Sequence, residues 1–184
     1  LNSLNQCCFD DDRVLQQTLV NDLSASFGSP VIVALYSLDE FTQRGLVQMP
    51  GICLDDLDID CAQFERNPAL LRLRSEEVVA EQLYSHLLKT NCPVTGQPDW
   101  ATVSVQYSGP EISREGLLEY LVSYRQHQDF HENCVETVFS DILARCNPDS
   151  LTVYARYTRR GGLDINPYRS TDTSTPEYCR LARQ

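Results

Sequence analysis

The chain has 184 residues, enough for one sizeable core or for two small modules sharing one. Hydrophobic residues make up 42% and charged residues 22%, an ordinary soluble composition, and no apolar run approaches the roughly 20 residues of a membrane span. The net charge of −11 argues against a nucleic-acid binder, because neutralising phosphates needs clustered Lys and Arg, and Lys89 is the only lysine.

Asp10, Asp11 and Asp12 read as the cap and first turn of a helix, where carboxylates suit the dipole. Leu15, Thr18, Leu19, Asp22 and Leu23 continue it, and Gly28-Ser29-Pro30 stops it. Val31-Ile32-Val33-Ala34-Leu35-Tyr36 then reads as a short buried strand, with a second strand between Leu46 and Asp60. Gln63 to Ser75 is irregular around Pro68, and a module boundary is expected there, giving modules 1–64 and 65–184.

Val78 to Leu88 is an apolar run that fits either a strand or a helix. Ala101 to Tyr107 alternates and reads as a half-buried strand, with Ser108-Gly109-Pro110 turning the chain after it. Ser113 can cap a helix with the stripe Leu117, Leu118, Leu121 and Val122. A second helix starts near Phe130, carries Val135, Val138, Phe139, Ile142, Leu143 and Cys146, and ends at Asn147-Pro148. Leu151 to Thr158 alternates again, and Gly161-Gly162 leads to Leu163-Asp164-Ile165-Asn166. The second half is therefore strand, strand, helix, helix, strand, strand. The first half offers helix, strand, strand, the same unit without its opening strands. An α+β fold follows, an antiparallel sheet with helices on one face.

Eight cysteines suggest disulfides, but Cys53, Cys92, Cys134 and Cys146 sit inside patterned segments. No signal segment is visible at the start, so reduced thiols in a cytoplasmic protein are expected. The first residue is not Met, and the chain is expected to be a fragment or a processed product.

Several residues could carry chemistry. Cys92, between Asn91 and Pro93, is either a structural thiol or one made reactive by a neighbour that favours thiolate. Asp99, between Pro98 and Trp100, is either a turn residue or a carboxyl beside an indole with a raised pKa, able to donate a proton. His131-Glu132 opens the second long helix. Glu132 either answers the helix dipole or accepts N–H bonds from a guanine-like edge, with His131 bonding a carbonyl or ring nitrogen. Arg159-Arg160-Gly161-Gly162 is either a solvated turn or a phosphate holder. Asp56, Asp58 and Asp60 imitate a calcium loop, but Cys61 stands where Gly is needed, so an EF-hand is rejected. Cys92, His131 and Cys134 are a conceivable zinc set without a C-x-x-C pair to support it; no metal is expected.

The blocks Ser85 to Cys92, Gln97-Pro98-Asp99-Trp100, Phe130 to Glu136 and Val153 to Pro167, in that order, resemble the two-module 7-cyano-7-deazaguanine reductases of queuosine biosynthesis, a tRNA-modification pathway. The resemblance covers essentially the whole chain and is strongest from Ser85 onward. It implies tandem tunnelling-fold modules of ββααββ order, the first incomplete here. It implies NADPH-dependent reduction of the nitrile to an aminomethyl group through a covalent thioimidate. By matched position, Cys92 is the nucleophile and Asp99 the general acid/base. His131 and Glu132 hold the deazapurine, and Arg160 and Gly161 contact NADPH. It further implies a free small-molecule substrate and a homo-oligomer, a dimer in the first instance, with no nucleic-acid or membrane partner. The family's cofactor motif Glu-Ser-Lys-x-x-Lys is missing, since Lys89 stands alone, and the fragment is expected to reduce little by itself. Two rivals remain: a zinc hydrolase resembling GTP cyclohydrolase I, and a non-catalytic purine-binding or assembly module.

Overall fold

The computed structural model describes residues 2–173 and 175–184. The chain divides into two compact units, Leu1–Gly45 and Leu46–Gln184. The expected boundary at 64/65 lies inside the second unit, and the reason is visible. Arg66 grips Asp141 with two N–H groups, at 2.9 and 2.6 Å. The Asn67 N–H donates to Ser123 Oγ, and the Gln126 N–H to the Phe64 carbonyl.

The first unit holds α1 (Asp12–Phe27) and α2 (Leu38–Gln43). Helix α1 begins as the acidic run requires, with the Asp11 carboxylate accepting from the Val14 N–H, and it ends on Gly28 in the left-handed conformation. The strand expected over Val31–Tyr36 does not form. The segment pairs with no strand among the described residues and is mostly exposed, with Ile32 97% accessible; the Val31 N–H donates instead to Ser24 Oγ of α1. A β-branched run records a preference for a pleated surface; it does not supply a neighbouring strand.

The second unit contains β1 (Ile52–Cys53), β2 (Leu73–Asn91), β3 (Pro98–Ile112), α3 (Arg114–Val122), α4 (His131–Cys146), β4 (Ser150–Tyr157) and β5 (Tyr168–Ser170). The expected strand between Leu46 and Asp60 is reduced to the two residues of β1. The ambiguous run around Val78–Leu88 is strand. The expected order strand, strand, helix, helix, strand, strand is present from β2 to β5. The five strands lie in sequence order, with β1 parallel to β2 and the other neighbours antiparallel.

One sheet face is set by alternation. Val103 stands opposite Ala155, Val105 opposite Val153 and Tyr107 opposite Leu151, and all six are buried. Leu117, Leu118, Leu121 and Val122 of α3 and Val135, Val138, Phe139 and Ile142 of α4 pack into the same core, so both helices cover that face. Leu83 faces Val105, Ser85 faces Val103, and Leu88 faces Ala101. The step from Ser85 to Leu88 is one residue longer than its partner's. A β-bulge at His86–Leu87 therefore shifts the phase, so that Leu88 and Thr90 return to the helix side.

Two local expectations are corrected. Ser108-Gly109-Pro110 does not turn the chain, because β3 runs through it and pairs with Val78–Ala80. Gly109 sits at φ 146°, and an added Cβ would lie 2.7 Å from Pro148 Cα, so this glycine admits a neighbouring backbone. Leu163–Asn166 is not a strand; Arg160 and Leu163 close a tight turn, and the last strand begins at Tyr168. Cys134 is fully buried, because the start of α4 lies against Tyr157 at the end of β4. Among the described residues no helix is long and apolar enough to cross a membrane.

Candidate functional site

The site grows from one end of the sheet. Strands β2 and β3 are joined by Cys92–Gln97. The Cys92 N–H donates to the Gln97 carbonyl at 2.8 Å, and the Gly96 N–H to the Cys92 carbonyl at 2.9 Å. This turn folds its donors back toward Cys92 Sγ. The Thr95 hydroxyl, the Thr95 and Val94 backbone N–H groups and the Arg160 guanidinium all favour the thiolate. They lower the Cys92 pKa to about 7 against a partial opposing effect of burial.

Asp99, one residue into β3, pairs with Thr90 of β2 and is 3% exposed. Its Oδ1 accepts from Arg160 Nε at 2.8 Å and from Arg160 Nη2, while Oδ2 lies 3.3 Å from His131 Nε2. The buried carboxylate thus joins the 160–163 turn to the first residue of α4. Arg160 also reaches the Cys92 sulfur, so one guanidinium links the thiol to the carboxylate. The His131 ring stacks on Tyr157, with centroids 3.7 Å apart and planes 2° from parallel. Its buried Nδ1 has no hydrogen-bond partner among the described residues, while the Thr90 and Tyr157 hydroxyls interact with each other and with the Cys134 thiol. Burial pushes the neighbouring Cys134 thiol up to about 11.

The structure therefore brings together Cys92, Asp99, His131 and Arg160 from four places in the sequence. Glu132 is exposed in the first turn of α4, with no partner among the described residues. Gly161 is exposed at φ 57°, and an added Cβ would meet nothing within 4 Å. Cys92, His131 and Cys134 do not gather as a ligand group among the described residues. Sequence reasoning missed Thr95 and Tyr157. Thr95 carried a weak signal, a hydroxyl three residues after a thiol in a turn. Tyr157 carried none, as one aromatic residue in an alternating strand.

Arg160 and Gly161 do not by themselves fit a dinucleotide. The Arg160 Nε and Nη2 groups are spent on Asp99, and its backbone N–H donates to Leu163 within the turn. Arg159 Nε faces Asp164 at 3.8 Å. The single lysine is engaged as well, since Lys89 Nζ donates to Asn91 Oδ1 and the Arg125 carbonyl.

The fold and geometry define an α+β unit with a low-pKa thiol beside a buried carboxylate–guanidinium pair. Residues 98–176 match the family described as QueF-like protein. That match contains Asp99, His131, Glu132, Arg160 and Gly161, begins just after Cys92, and supports a relation to the family without specifying a reaction. A solved structure described as the archaeosine synthase QueF-Like in the apo form is 21% identical and covers 56% of this chain and 100% of that one. Its TM-score of 0.46 makes the likeness too distant to bear on chemistry.

Proposed function

We propose that the chain captures 7-cyano-7-deazaguanine by adding the Cys92 thiolate to its nitrile carbon, the committing step of a deazapurine nitrile reductase. The observation that carries this reading is the thiol lowered to about 7 beside Arg160 and the buried Asp99. A nitrile carbon is electrophilic, and a thiolate at neutral pH is a competent nucleophile. The new C–S bond forms as one C–N π bond breaks, and the electron pair moves to nitrogen, which takes a proton to give the thioimidate.

Asp99 is assigned that proton transfer. In the structure its carboxylate is engaged by Arg160, so donation requires the pair to open as the nitrile nitrogen arrives. His131, held flat by Tyr157, presents one edge to Asp99 and keeps its Nδ1 unpaired. Glu132 is assigned the guanine-like N–H groups, because an unpartnered carboxylate suits paired donors. Reduction by NADPH belongs to the same proposal, but Arg160 and Gly161 need further residues to hold it, and no hydride step is derived from them. The proposed substrate is the free base, and the proposed working form is a homo-oligomer.

The test is intact-mass measurement after incubation with the nitrile base. One adduct of the base's full mass is expected, absent from Cys92→Ala. No adduct, or one that survives Cys92→Ala, overturns the assignment. Binding without an adduct would instead favour a non-catalytic purine-binding module.

A further inference from the structure

The sheet face away from the helices holds a second constellation. Cys53 ends β1, Asp55 follows two residues later, and His86 stands in the β2 bulge. One ligand atom from each lies within 4.8 Å of the others, and all three residues are half-buried. We propose that Cys53, Asp55 and His86 bind a divalent cation of the zinc type, with a fourth position left to a non-protein ligand.

The donor set decides the class of ion. A thiol, an imidazole and one carboxylate suit zinc, whereas magnesium and calcium call for oxygen donors alone. Tetrahedral zinc places its ligand atoms about 3.5 Å apart. The three candidate atoms already lie within 4.8 Å of one another, close to that spacing.

The surroundings are arranged as around metal ligands. His86 Nδ1 lies 2.7 Å from Thr102 Oγ1. When Nδ1 donates that bond, Nε2 keeps its lone pair for a metal. Asp55 is held by the Ser85 hydroxyl at 2.6 Å and by the His86 backbone N–H at 3.1 Å. That N–H is free to turn to Asp55 because the bulge interrupts the ladder between Ser85 and Leu88. The Cys53 thiol is in hydrogen-bond contact with Tyr84. Tyr84 and His86 also line a cavity of about 330 Å³ with Thr102, Leu181 and Arg183, which leaves room for the fourth ligand. This group shares no residue with Cys92, Asp99, His131 or Arg160, so its fate is independent of the nitrile reading.

The test is titration of the metal-stripped protein with Zn²⁺ against a chromophoric competitor, with Co²⁺ as the spectroscopic probe. One equivalent should bind. Co²⁺ should show thiolate charge-transfer absorption and tetrahedral ligand-field bands. Cys53→Ala and His86→Gln should abolish the bands with circular dichroism unchanged, and Cys92→Ala should retain them. Should either variant fail to fold, Thr102→Ala carries the test, with affinity reduced about tenfold. No charge-transfer band, a band that survives Cys53→Ala, or a band lost in Cys92→Ala overturns the proposal.

Discussion

Arg160→Gln should destabilise the fold through Asp99. The Asp99 side chain is 4% exposed and the Arg160 side chain 37% exposed. Breaking a fully buried pair costs about 3–5 kcal/mol, and an exposed pair contributes about 1 kcal/mol or less. One buried partner and one partly solvated partner, with His131 Nε2 still 3.3 Å from the carboxylate, place the cost at about 2 kcal/mol. Asp99→Asn keeps an acceptor for Arg160 but removes the charge, and should cost about 1 kcal/mol. Urea denaturation of the wild type, both single variants and the double variant closes a mutant cycle, with unchanged m-values as the control. The double variant should be more stable than the summed singles predict by about 1 kcal/mol, because an amide facing an amide leaves no buried charge. Additivity within about 0.5 kcal/mol would refute the coupling through this pair.

Two further outcomes are expected. Thr95→Val removes the largest cause of the lowered Cys92 pKa. Because thiolate is the form present above the pKa, the midpoint of Cys92 alkylation should rise from about 7 toward the ordinary 9.0, and the rate at neutral pH should fall; peptide-level mass spectrometry across a pH series reads both. Gly109→Ala places a Cβ 2.7 Å from Pro148 Cα at a positive φ, and should cost more than about 1 kcal/mol in urea denaturation while leaving the alkylation midpoint of Cys92 unchanged.

What the sequence disclosed followed the range of the interactions. Helices α3 and α4 were legible because Ser113, the apolar stripes and Asn147 are local signals, and each is found where periodicity put it. Strands β3 and β4 alternate and were equally plain. Val31–Tyr36 misled because strand propensity is local while pairing is not. Gly109 misled for a related reason: its glycine answers to Pro148, 39 residues away, rather than to a turn. Block order singled out Cys92, Asp99, His131 and Arg160, which the structure brings together, and also Glu132 and Gly161, which it leaves exposed. The site's working contacts were hidden, since the Arg160–Asp99 pair spans 61 residues and nothing in either neighbourhood announces the other. The boundary at 64/65 was read from Pro68 and an irregular stretch, whereas Arg66 and Asn67 reach across to Asp141 and Ser123.

Strand β2 has 19 residues, about 60 Å of extended chain, whereas α4 covers about 24 Å and α3 less. The helices cannot roof the whole hairpin. Residues near Leu83 and Leu88 lie in the core, while Glu76, Glu77 and Val78 stand in water and the pairing is interrupted between Leu73 and Val78. Two stretches of a single strand thus belong to different regimes of amide exchange: the half near Cys92 opens only with the core, and the exposed 76–78 stretch, where pairing lapses, opens locally. The turn that carries the thiol is anchored at the slow end.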